Sequence, residues 1–131
     1  MRRLAVLVGC LILLANTSLA NSTFSKHWKA KYASKDADAD FQKAVKGQGC
    51  FICHIKDQDK KKVRNEYGIA IHEYLKAEDF PKDYVKENPE EAKAKILEGF
   101  KKAGKRKSKD GKTFAEKIAN NEIPATDSGK E

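Results

Sequence analysis

Five consecutive residues, Cys50-Phe51-Ile52-Cys53-His54, constrain this chain more than any other stretch. They form a C-x-x-C-H run, the attachment signature of haem c. Two thiols three positions apart on a tight turn can each add across one vinyl group of a single porphyrin. The histidine that follows is then held beneath the iron as its proximal ligand. Cys50 and Cys53 are therefore expected to carry one haem c through two thioethers. His54 would ligate the metal through one ring nitrogen, while its other N–H finds an acceptor elsewhere in the fold. The same residues admit three competing readings: a redox dithiol, half of a zinc site, or a structural disulfide. A thioredoxin-like dithiol wants a βαβ surround, and a closed zinc site wants four ligands. The histidines stand apart at His27, His54 and His72, and the remaining cysteine is Cys10.

The leader bears on which reading holds. Arg2 and Arg3 form a basic start, Leu4 to Ala15 an apolar stretch, and Ser18-Leu19-Ala20 a small-x-small cleavage site. Residues 1–20 thus read as a secretory signal peptide. The apolar stretch is too short to span a bilayer, so the expectation is an exported, periplasmic protein with no transmembrane segment after signal removal. A minor alternative is a lipid anchor, because Leu7-Val8-Gly9-Cys10 resembles a lipobox. Cleavage after Ala20 would remove Cys10 and leave Cys50 and Cys53 as the only thiols.

Charged residues make up 35% of the chain, and Lys plus Arg exceed Asp plus Glu by 27 to 19. A chain of this length forms one domain with limited apolar material, and a buried haem would supply the missing apolar surface. The haem-free chain is accordingly expected to fold poorly. The lysines and Arg64 would pair with haem propionates, steer redox partner proteins with acidic docking surfaces, or simply form a solvated face. Nucleic acid is not an expected partner of an exported haem protein, despite the basic pI.

Periodicity places helices along the rest of the chain. Residues 21–37 read as an N-terminal arm or short helix, with Phe24, Trp28 and Tyr32 on one face and His27 at its edge. An acidic cap leads into a helix from about Phe41 to Lys46 with Phe41, Ala44 and Val45 inward, ended by Gly47 and Gly49. A helix over Val63–Lys76 carries Val63, Tyr67, Ala70, Ile71, Tyr74 and Leu75 inward. On that wheel His72 lies about 140° from Tyr67 and faces water. Asp79 to Asp83 reads as a turn-rich connector. Asn88-Pro89-Glu90-Glu91 caps a helix to Ala103, and Thr113 with Glu116 caps a short last one with Phe114 and Ile118 inward. No run alternates like a strand. The fold class is all-α, a haem domain over residues 38–123 followed by a flexible tail at 124–131.

With the attachment run, the leader and several short helices, the chain resembles a small exported monohaem c-type cytochrome. It is similar in particular to the planctomycete-type subfamily, in which a lysine-rich loop and an Arg-Asn-x-Tyr-Gly segment follow the attachment run. Here that segment is Arg64-Asn65-Glu66-Tyr67-Gly68. The resemblance implies a cytochrome c-like bundle of short helices around one haem, working by one-electron transfer and not as an enzyme. One departure matters: the single methionine is Met1, so the usual methionine sixth ligand is missing. His27, His72, a lysine amine, water or a vacant position remain, with His27 the sharper candidate because it adjoins Phe24 and Trp28. The missing methionine also motivates an alternative, a haem protein that binds or senses nitric oxide or carbon monoxide. A third possibility is a haem subunit of a larger complex.

Overall fold

The computed structural model describes residues 19–130, with side chains from residue 22. The body of the expected leader, including Cys10, lies outside the described residues. Six α-helices follow one another: α1 Leu19–Tyr32, α2 Ala39–Gln48, α3 Glu66–Tyr74, α4 Lys82–Glu87, α5 Pro89–Gly104 and α6 Phe114–Ala119. Short 3-10 turns cover Gly49–Ile52 and Ala77–Asp79. No strand occurs among the described residues, and the all-α expectation holds.

Helix α5 is the hub, packing against α1, α3, α4 and α6. Its apolar residues repeat at helical spacing, and Ala92, Ile96, Phe100 and Ala103 are buried. Around it runs a chain of aromatic contacts. Phe24 meets Phe80 edge-on at 5.3 Å between ring centroids, Trp28 meets Tyr67 at 6.3 Å, and Tyr67 meets Phe114 at 5.0 Å. The indole N–H of Trp28 donates to the Tyr67 hydroxyl at 2.7 Å, which satisfies the polar edge of a buried ring.

Local signals explain most boundaries. The Asp38 side chain accepts from the Phe41 amide at 2.9 Å and starts α2, whose Phe41 and Val45 are buried. Ala44, expected inward, is exposed. Thr113 and Glu116 form a reciprocal capping box on α6, with Phe114 and Ile118 buried as expected. At α5 the expected Asn88 side-chain cap is not made, because its amide turns back to the Tyr84 carbonyl at 3.3 Å. That bond belongs to α4, of which only Lys82 and Asp83 fall within the expected connector.

Two further corrections concern the site. Helix α3 starts at Glu66 and not at Val63, because Asn65 is extended and caps it, its side chain accepting from the Gly68 amide at 2.9 Å. It ends at Tyr74, which is exposed where the periodicity placed it inward. The expected flexible tail is docked instead. Pro124, Ala125 and Ser128 are buried, and the Ser128 carbonyl accepts from the Lys56 amide at 2.7 Å.

Candidate functional site

Gly49 ends α2 with φ 56°, a left-handed turn that costs a glycine little. It redirects the chain into the 3-10 turn that carries Cys50. The Cys50 carbonyl accepts from both the Cys53 amide at 3.3 Å and the His54 amide at 3.1 Å. The run is thus wound tightly, and Cys50, Cys53 and His54 all line one cavity of about 540 Å³. That volume is in the range of cofactor sites, roughly 300–1,000 Å³. Its walls are largely apolar: Phe24 and Trp28 from α1, Ile71 from α3, Leu75 at the C-terminal cap of α3, and Phe100 from α5. Three cations, Lys26, Lys29 and Arg64, also border it.

The acceptor that the sequence left unnamed for His54 is the Val63 carbonyl, 3.0 Å from Nδ1. A carbonyl only accepts, so Nδ1 is the donor, and in the neutral ring Nε2 is left as the acceptor. This follows from the chain doubling back after the lysine-rich loop, where His54 and Arg64 form an isolated antiparallel bridge.

Behind the turn stands Asn65, fully buried. Its side-chain amide donates to the carbonyls of Phe51 and Ile52, both at 3.0 Å, and of His54 at 3.3 Å. Its own backbone N–H donates to the Cys53 carbonyl at 3.0 Å. Gly68 completes the clamp: a Cβ there would lie 2.0 Å from the Cys53 carbonyl oxygen, so only glycine lets α3 approach this closely. Glu66 extends it to the tail, accepting from Ser108 Oγ, the Lys109 amide, and the amide and hydroxyl of Thr126. Burial alone would raise the Glu66 pKa, but these hydrogen bonds, led by that from the Thr126 amide, outweigh it and hold the carboxyl below its ordinary value. The tail then reaches both flanks of the turn. The Lys130 carbonyl accepts from the Gln48 amide at 3.0 Å, and the Lys130 ammonium donates to the Gly47 carbonyl.

No family model, curated protein or solved structure matches this chain. Its chemistry rests on its own geometry.

Cys50 and Cys53 are free thiols. Burial pushes the Cys53 thiol up to about 12, the Arg64 cation opposing and Cys50 adding to the rise. A nucleophilic cysteine needs the reverse shift. Among the described residues no three His, Cys, Asp or Glu side chains converge as a closed metal site would require.

The other two histidines exchange places relative to expectation. His72, read as facing water, lines the cavity with His54. His27, read as the sharper candidate, does not. Its pKa is lowered by partial burial first, then by Lys26 and Lys93, with Glu90 opposing, so it looks toward the start of α5. The wheel misled at His72 because α3 is buried on two sides. The Asn65 side of the helix, taken as solvent, is the side pressed against the attachment turn. Of the rings expected near a porphyrin, Trp28 lines the cavity, while Tyr67 and Tyr32 serve the core.

Proposed function

We propose that the chain is an exported monohaem c-type cytochrome that carries one electron at a time. The observation that carries this reading is the His54 imidazole, tied through Nδ1 to Val63 and presenting Nε2, beside two free thiols in one apolar cavity. When bound, haem c supplies a one-electron ferric–ferrous couple. Cys50 and Cys53 would hold it through thioethers, and His54 would be its first axial donor. The Val63 carbonyl fixes the imidazole's tautomer and orientation. Phe24, Trp28, Ile71, Leu75 and Phe100 exclude water, and the low dielectric they create tunes the potential. Lys26, Lys29 and Arg64 provide positive charge for the carboxylates that such a group carries. The basic surface would favour an acidic partner. No helix among the described residues is long and apolar enough to cross a membrane.

Production from the full chain, in a host able to attach haem c, tests the reading. The expected product has the mass of the processed polypeptide plus one haem and shows a Soret band. Cys50→Ala with Cys53→Ala loses both. Recovery of bare polypeptide from that host overturns the proposal. The absence of methionine after Met1 also keeps a second reading in view, binding of a small diatomic ligand at an open sixth position. Fast and complete carbon monoxide binding by the reduced protein would favour that role over simple electron shuttling.

A further inference from the structure

Resting on the haem reading above, we propose that His72 is the second axial ligand, giving the iron two imidazole donors in place of the histidine and methionine of common electron carriers. Gly68, Ile71, His72 and Leu75 all line the cavity. The spacing of Gly68, Ile71 and His72 puts these three within about 100° on the α3 wheel, a single face, and Leu75 follows at the cap. The Gly68 end of that face is pressed on the Cys53 carbonyl, so its position relative to the attachment turn is fixed. His72 stands one turn further along, about 6 Å up the helix.

The alternatives are weaker on the same ground. His27 does not line the cavity, and no methionine follows Met1. Lys26 and Lys29 do line it, but from α1 and not from the α3 face that is fixed against the Cys53 carbonyl. Imidazole is also a well-suited donor to iron.

The test uses the haem-loaded protein and its optical and near-infrared magnetic circular dichroism spectra. The wild type should be low-spin in both oxidation states, with the charge-transfer band of two histidine ligands and little reaction with carbon monoxide. His72→Ala should lose the low-spin bands and bind carbon monoxide rapidly once reduced, and free imidazole should restore the low-spin spectrum. His27→Ala should change neither. An unaltered low-spin spectrum in His72→Ala overturns the inference, as does a wild type that is high-spin or shows the signature of an amine or water ligand. The wild-type spectrum decides even if His72→Ala fails to accumulate. A Soret band with the wrong ligand signature sinks only the His72 assignment, whereas bare polypeptide sinks the haem reading itself.

Discussion

Asn65 does the work of several residues at once. Its amide bridges three carbonyls of the attachment turn while its carbonyl oxygen caps α3, and it is fully buried. Asn65→Ala should therefore destabilise the protein by about 2–4 kcal/mol, read from urea or thermal unfolding, because it strands buried acceptors and removes a cap together. Asn65→Asp keeps the cap but sets a carboxylate against three carbonyls, and should be no better. Gly68→Ala tests a separate point. Helix propensity alone would favour alanine by about 1 kcal/mol. The new methyl would meet the Cys53 carbonyl at 2.0 Å, and a net loss of about 1–3 kcal/mol is expected as the backbone gives way. At this scale the sequence was partly legible. The Cys50, Cys53 and His54 constellation could be named from spacing alone, and Arg64 to Gly68 could be singled out. What those five residues do could not, since each acts on a partner ten or more positions away: Asn65 on Phe51, Gly68 on Cys53, Glu66 on Thr126.

Among the elements, α1, α2, α5 and α6 were readable because each shows the solvent one polar face and the core one apolar face. Helix α3 broke that assumption. With Tyr67 and Ala70 in the core and Gly68 and His72 toward the cavity, its polar positions no longer mark the solvent side. The six-residue α4 was missed because its pattern is too brief to rise above the turn residues around it. The tail was misjudged for a similar reason: its composition is that of a loop, and its order comes from distant partners, Glu66 prominent among them. That dependence is pH-sensitive. A carboxyl whose folded pKa is depressed contributes stability above its unfolded value, near 4.5, and loses it as pH falls through the folded one. Glu66→Gln should cost about 1–2 kcal/mol at neutral pH, discounted for partial exposure. The gap between the variant and wild type should close on acidification to about pH 3, as followed by urea midpoints. A gap that persists in acid would assign the loss to packing.

For the molecule as a whole, the 540 Å³ cavity between α1, α3 and α5 is the dominant fact. Apolar space of that size surrendered to water, or closed by collapse, is costly, and a bound group that fills it with apolar surface would offset that cost. Protein lacking haem through Cys50→Ser and Cys53→Ser should show a broad, early thermal transition and bind hydrophobic dyes. A sharp transition at the holoprotein's midpoint would count against a haem-dependent core. Residues 124–130 bond to Lys56, Gln48 and Gly47 on either side of the turn that carries both cysteines, so the tail braces that turn from outside while Asn65 holds it from within. Deleting the tail should therefore loosen the turn's flanks and leave the Asn65 bonds to its carbonyls in place.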